Sequence, residues 1–238
     1  MKEAMYRDHA RYYDLIYSFK DYKKETAALN TIIRKHKRSA GNDLLDVACG
    51  TGKHLEQFKG FSLHGSDLNK GILSIAKRRL QKAKFYTQDM AKLRIGKKFD
   101  VITCLFSSIG YVKTRSGLKR TIQSFAQHLK SGGVIIIEPW FTKEQYTSGT
   151  PHMTTYDSPQ IKIARLNISD ARGDMSHMDM HFTVAEKDKR IIQFVDNHEM
   201  LMTPHEEIIR MMEETGMSVT YLKTREFGRG LLIGIKSA

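Results

Sequence analysis

Leu44-Leu45-Asp46-Val47-Ala48-Cys49-Gly50-Thr51-Gly52 decides how this chain folds. An apolar run ends in an acid, and two glycines follow with one residue between them. Glycine takes up backbone angles that other residues resist, so such a junction lets a ligand approach the main chain. A helix starting behind it presents N–H groups that have no partner within the helix. Two nucleotide motifs compete for this loop and both fail. The dinucleotide fingerprint would begin at Gly50 and needs a third glycine where Leu55 stands. The P-loop needs Ser or Thr after Gly-Lys and a glycine earlier in the loop, where the chain has His54 and Val47.

Working outward, short apolar runs alternate with helical periods through the first part of the chain. Strands are expected over Asp43–Ala48, Phe61–Ser66, Lys84–Gln88, Phe99–Leu105 and Val134–Glu138, several of them apolar nearly throughout. That texture suits strands buried on both faces of a parallel sheet. A helix is expected over Asn69–Lys82, carrying Ile72, Ile75 and Ala76 on one side. Another carries Leu118, Ile122, Phe125, Ala126 and Leu129, with Gly132-Gly133 as its left-handed cap. Strand–helix–strand repetition implies right-handed crossovers and a doubly wound, mostly parallel α/β sheet. Beyond Trp140 the pattern alternates from Gln160 to Met202, which predicts a small antiparallel β insert, assigned here to residues 141–202. Thr203-Pro204-His205-Glu206 then reads as a capping box with proline in the first helical position, opening a last helix that stops at Gly216. Strands near Met217–Lys223 and Leu231–Lys236 finish a single domain, 1–238, whose residues 1–40 are expected to form an N-terminal helical lid.

Composition narrows the function classes. The chain has 238 residues, 40% of them hydrophobic, and a formal net charge of +13. This excludes a largely disordered chain. The two cysteines, Cys49 and Cys104, have neither disulfide-scaffold nor metal-ligand spacing, so no metal is expected and a reducing, cytoplasmic setting suits them. No run approaches the ~20 apolar residues of a membrane span, and Met1 to Arg11 lacks the apolar stretch of a signal peptide. The densest basic cluster, Arg34-Lys35-His36-Lys37-Arg38, closes a helix that begins near Tyr22. Cations there complement the helix dipole, which explains the run without a nucleic-acid partner.

The reading of the loop that survives is the acidic-x-small-x-G-x-G turn of S-adenosylmethionine-dependent methyltransferases, met by Asp46, Ala48, Gly50 and Gly52. Asp67 ends the second expected strand, where a carboxylate can accept both ribose hydroxyls. Asp89-Met90 ends the third, where an acid can take the adenine amino group and an apolar side chain can cover the ring. Ligands of open α/β sheets bind at that edge.

With these residues in register, the chain resembles class I S-adenosylmethionine methyltransferases. More narrowly, it resembles the N,N-dimethyltransferases acting on TDP-linked amino sugars in antibiotic deoxysugar pathways. The likeness runs through Tyr13-Asp14-Leu15-Ile16-Tyr17, Lys20-Asp21-Tyr22, Thr103 to Gly110, Phe125 to Leu129, Glu138-Pro139-Trp140 and Gly228-Arg229-Gly230-Leu231. It implies a seven-stranded sheet with the β insert beside the active site, and S-adenosylmethionine as cofactor. It adds Tyr13, Leu68 and Phe106 to the cofactor side and places Tyr17, Tyr22, Trp140 and Arg229 on the substrate side, Arg229 against a phosphate. The family usually has His after Ser-Ser-Ile-Gly, and this chain has Tyr111.

Tyr111 and Tyr13 are the candidate catalytic residues. Tyr111 either accepts or relays the amine proton or orients the amine, and Tyr13 folds over the cofactor. His54 and His64 are expected to face solvent or to be structural. The implied reaction is methyl transfer to an amine of a small, nucleotide-linked molecule. Rivals are a nucleic-acid methyltransferase and a small-molecule O-methyltransferase. The nucleic-acid reading lacks the Asn/Asp-Pro-Pro-Tyr of base-amino enzymes, since Leu105-Phe106-Ser107-Ser108 stands there, and Cys104 follows Thr103 rather than proline. Neither a membrane nor nucleic acid is called for as a partner, and a homodimer is left open.

Overall fold

The computed structural model describes residue 5 and residues 9–237. Residues 1–4 and 6–8 of the expected N-terminal segment, and residue 238, lie outside the described residues. Helices α1 (Tyr13–Ile16) and α2 (Tyr22–His36) precede β1 (Asp43–Val47), α3 (Lys53–Gln57), β2 (Ser62–Asp67), α4 (Lys70–Arg79), β3 (Lys84–Thr87), β4 (Phe99–Cys104), α5 (Arg115–Gln127) and β5 (Leu129–Ile137). Four strands follow, β6 (Pro151–Asp157), β7 (Ile161–Arg172), β8 (Met175–Glu186) and β9 (Ile192–Leu201). The chain closes with α6 (His205–Glu213), β10 (Met217–Leu222) and β11 (Leu231–Lys236).

Two sheets result. The seven-stranded sheet runs β10-β11-β5-β4-β1-β2-β3 and the four-stranded one β6-β7-β8-β9. β5, β4, β1, β2 and β3 are mutually parallel, whereas β11 is antiparallel to β5 and to β10. Alternation along the strands feeds two cores. Leu45, Val47, Ile102 and Ile135 face Ile122 and Phe125 of α5, while Leu44, Val101, Val134 and Ile136 face Leu29 and Ile33 of α2. All six residues of β4 are buried, as a central parallel strand covered on both faces requires. The four-stranded sheet turns Ile163, Phe182 and Val184 inward onto Met5, Tyr12 and Ile16 of the N-terminal segment.

Several local expectations are corrected. Gly132-Gly133 does not cap a helix. α5 ends at Gln127, and Gly132 (φ 71°) lies inside β5, where the register against β4 shifts between Phe99 and Val101. The positive φ that fits a helix cap fits a strand irregularity equally well. The expected capping box at Thr203 is not formed, because Pro204 occupies the cap position itself with an extended ψ of 135°. The helix expected over Asn69–Lys82 is shorter: Asn69 caps it through the Gly71 and Ile72 amides, and Leu80 leaves helical angles. β6 precedes the alternating segment that begins at Gln160.

Candidate active site

Parallel pairing brings the carboxyl ends of β1, β2, β3 and β4 to one edge of the sheet. There the loop leaves β1 through Ala48 (φ 56°), Gly50 (φ 56°) and Gly52 (φ 79°). Ala48 carries a side chain in the left-handed region, at a cost of about 1–2 kcal/mol. At Gly52 the loop also runs close to α4, where an added Cβ would lie 3.3 Å from Leu80.

Asp67 organises this turn. Its Oδ2 accepts from the Gly50 amide and its Oδ1 from the Asn69 amide, each at 2.9 Å. An ionised carboxylate has about four acceptor positions, and two of these hold amides of the turn. Asp89 is held in the same way by the Ala91 amide at 2.9 Å. Asp46 is 2% exposed and accepts from the Thr103 hydroxyl at 2.7 Å. Burial pushes its carboxyl up to about 6 despite that bond. Burial also pushes the Cys49 and Cys104 thiols up, which argues against a thiolate nucleophile.

A cavity of about 630 Å³ opens at this edge, within the usual range of small-molecule sites. Tyr13, Ala48, Gly50, Asp67 and Leu68 line one part of it, and Asp89, Met90 and Tyr111 another. A smaller cavity of about 40 Å³ beside the loop is lined by Tyr13, Tyr22, Asp46, Ala48, Gly50 and Phe106, among others. Gly52, Tyr17, Trp140 and Arg229 line neither. Tyr17 packs edge-on against Phe106 at 5.2 Å and accepts from Arg165 at 3.1 Å. Trp140 donates through Nε1 to the Ser176 hydroxyl at 2.9 Å. Arg229 donates through Nη2 to Glu138 Oε1 at 2.8 Å, with its guanidinium 5.5 Å from the Trp140 ring and 5.2 Å from that of Phe141.

The turn after β4 is strained. Phe106 (φ 51°) and Ser107 (φ 57°) are both left-handed. The Phe106 amide donates to Glu138 Oε2 at 2.6 Å and the Ser107 hydroxyl to the Pro139 carbonyl at 2.7 Å. A buried carboxylate therefore pins the turn that leads into Ser108–Tyr111, from which Ser108 and Tyr111 line the cavity.

Residues outside the expected set complete the site. His198 Nδ1 lies 2.6 Å from the Tyr111 hydroxyl, and its Nε2 lies 2.7 Å from Asp196 Oδ2. Both arrive on β9, and nothing in their alternating strand pattern singles them out. His54, rather than facing solvent, is buried and donates to Glu25 Oε2 at 2.6 Å, while Lys20 holds Oε1 at 2.6 Å. His64 is buried 3.0 Å from the Tyr86 hydroxyl. Lys20 also sits 4.3 Å from the Phe106 ring. Among the described residues, no group of acids, histidines and cysteines could hold a metal, and no helix is long and apolar enough to cross a membrane.

The matches to known proteins follow this geometry. A methyltransferase-domain family model matches residues 44–133, the loop and the first strands of the parallel sheet. The dTDP-3-amino-3,4,6-trideoxy-alpha-D-glucopyranose N,N-dimethyltransferase of Streptomyces venezuelae is 37% identical over 96% of this chain and 98% of its own. The crystal structure of Streptomyces venezuelae DesVI superimposes with a TM-score of 0.90 at 36% identity, covering 96% of this chain and 98% of that one. The S-adenosylmethionine-bound structure of CalS10, an amino pentose methyltransferase from Micromonospora echinaspora, gives 0.83 at 28% identity, covering 92% of each.

Proposed function

Because the chain belongs to the S-adenosylmethionine-dependent N,N-dimethyltransferases of TDP-linked amino sugars, we propose that it methylates, in two successive transfers, the amine of a nucleotide-linked amino sugar. The observation that carries this reading is that Asp67 and Tyr111 open onto one cavity. A cofactor side and a nucleophile side thus share a single space.

The donor set fits the cofactor. Asp67 accepts the two ribose hydroxyls, Asp89 takes the adenine amino group, and Met90 and Leu68 cover the ring system. Ala48 and Gly50 give close backbone approach, Gly52 shapes the turn behind them, and Asp46 faces the amino-acid end. When bound, S-adenosylmethionine supplies an electrophilic methyl group on a sulfonium sulfur. The chain itself binds, orients and excludes water. Tyr13, on the segment over the loop, closes the cavity, and Tyr111 orients the amine. Holding two reactants in an attacking geometry is worth about 7–11 kcal/mol of barrier.

Tyr17, Tyr22, Trp140 and Arg229 form the sugar side of this reading, and residues 9–40 act as its lid. The reducing cytoplasm suits the two buried free thiols. The test is product mass spectrometry with labelled cofactor over a panel of amines that includes a TDP-amino sugar. One and then two methyl additions to that sugar are expected. Incorporation into RNA with none into any small amine would overturn the proposal.

A further inference from the structure

Tyr111 stands at the end of a buried chain of polar groups. His198 is 4% exposed and Asp196 1%, and the backbone amide of Met5 donates to the other Asp196 oxygen at 3.1 Å. An ionised carboxylate only accepts, so the Nε2 of His198 carries the proton that bonds Asp196. In the neutral ring Nδ1 is then an acceptor, and the Tyr111 hydroxyl donates to it. Tyr111 lines the cavity, and a hydroxyl that donates its proton can still accept one from a bound amine.

That polarity suits an amine nucleophile. An amine that donates an N–H to Tyr111 keeps its lone pair for the methyl carbon, whereas a hydroxyl donating to nitrogen would occupy that lone pair. We infer that Asp196, His198 and Tyr111 form a proton relay for the bound amine, an inference that rests on the amine-methylating reading above. An arriving ammonium gives its proton to the Tyr111 oxygen as the Tyr111 proton passes to His198 Nδ1. The electrons of the broken N–H bond become the nitrogen lone pair. The imidazolium formed is paired with Asp196, and it returns its proton to water through Tyr111 before the next turnover. No oxidant or further reactant is needed. A neutral phenol is a far weaker base than an imidazole, so His198, acting through Tyr111, is the group that takes the proton. His198 is thus a positioning and proton-holding residue, while Tyr111 is the group that meets the amine.

The charges around the ring come from several elements. On β9, Glu199 pairs with Lys113 and lies 3.9 Å from His177 of β8. Asp179 of β8 is bonded to Asn197 at 2.6 Å. Tyr17, bonded to Arg165 of β7, is held neutral by burial, and Asp196 adds to that effect. Asp196 is the acid that bonds the ring directly on the side away from Tyr111, so it is the group expected to hold the imidazolium.

The test is the pH dependence of kcat and kcat/KM for amine methylation by the wild type, His198→Gln, Asp196→Asn and Tyr111→Phe. At neutral pH His198→Gln should be about 100-fold slower. The deficit should shrink as rising pH deprotonates the amine in bulk. Tyr111→Phe, which keeps the ring, should follow the same profile with unchanged cofactor affinity by calorimetry. Imidazole-nitrogen NMR should find the His198 proton on Nε2, and Tyr111→Phe should move the titration of that ring. A loss in His198→Gln that is constant with pH, or a wild-type profile in that variant, would overturn the relay alone. A wild-type protein that methylates no amine would overturn the functional reading and the relay with it.

Discussion

The Thr51 hydroxyl donates to Asp14 Oδ1 at 2.6 Å, joining the N-terminal segment to the glycine loop by side chains. Arg79 of α4 completes the contact, binding the other Asp14 oxygen and, at 2.5 Å, the Thr51 carbonyl. Tyr13, the residue before Asp14, is thereby held over the cavity. The arrangement makes the segment part of the cavity wall, through Tyr13, rather than a separate appendage.

Asp14→Ala should release that segment. Two charge-assisted contacts are lost, each worth about 1.5–3 kcal/mol, and part of this appears as weaker cofactor binding. About 10-fold lower affinity for S-adenosylmethionine is expected by calorimetry, since 1.4 kcal/mol is a factor of ten. Limited proteolysis should cut the chain before Tyr22 faster than in the wild type. Unchanged affinity together with unchanged cleavage would mean that Asp14 does not hold the segment.

Asp67→Ala should weaken binding of S-adenosylmethionine and S-adenosylhomocysteine by about 2–4 kcal/mol, taking about 1–2 kcal/mol for each ribose hydrogen bond. The bonds from the Gly50 and Asn69 amides add a second effect. Both amides lose their acceptor, so the protein without cofactor should also lose stability, on the order of 1–3 kcal/mol, and melt earlier. Asp67→Asn retains a carbonyl for one of the amides and should recover part of the stability but little of the affinity. Thermal melts and calorimetry on the two variants separate these roles, and full affinity in folded Asp67→Ala would refute the ribose assignment.

Asp46 yields a pH prediction whose sign follows from its raised pKa. In the unfolded chain the carboxyl titrates near 3.8, and in the fold near 6, chiefly because burial disfavours its charge. The folded state therefore binds the proton more tightly, and stability falls as pH rises through that window. The full loss is about 3 kcal/mol. Asp46→Asn should abolish this slope and raise the melting temperature of the cofactor-free protein above pH 6. It should also reduce affinity for a ligand with a cationic amino-acid end. Melting curves taken across the window decide the first point; a variant less stable than wild type at neutral pH would contradict it.

What the sequence disclosed is what local order encodes. The alternation of strands and helices, the positive-φ loop at Gly50 and Gly52, and carboxylates at the ends of β2 and β3 are each set by a few neighbouring residues. The contact of Tyr111 with His198 spans 87 positions, and that of Glu138 with Arg229 spans 91. No period or spacing marks such pairs before the topology brings β9 to the turn after β4. β6 stayed hidden because it is mostly exposed and so carries no apolar alternation. Gly132-Gly133 was ambiguous for a physical reason, since one positive φ serves a helix cap or a strand irregularity.

Arg229 supplies the last prediction, because its contacts give it a structural task beside the proposed phosphate one. Glu138 is 3% exposed and bonds Arg229 with one oxygen and the Phe106 amide with the other. Arg229→Ala would leave that carboxylate buried without its cation, a change that costs about 3–5 kcal/mol when a pair is fully buried and less here, where Arg229 keeps some exposure. The melting temperature should fall, and kcat should fall with it as the turn carrying Tyr111 loosens. Combining Arg229→Ala with Glu138→Gln removes the orphaned charge and should restore part of the stability. That double variant isolates the phosphate contact. If Arg229 also meets the substrate, KM for a diphosphate-linked amine stays high while KM for an unphosphorylated amine returns toward wild type. Arg229→Lys, which keeps the charge but loses the planar fork, should fall between the two. Equal recovery of both KM values in the double variant would assign Arg229 to the fold alone.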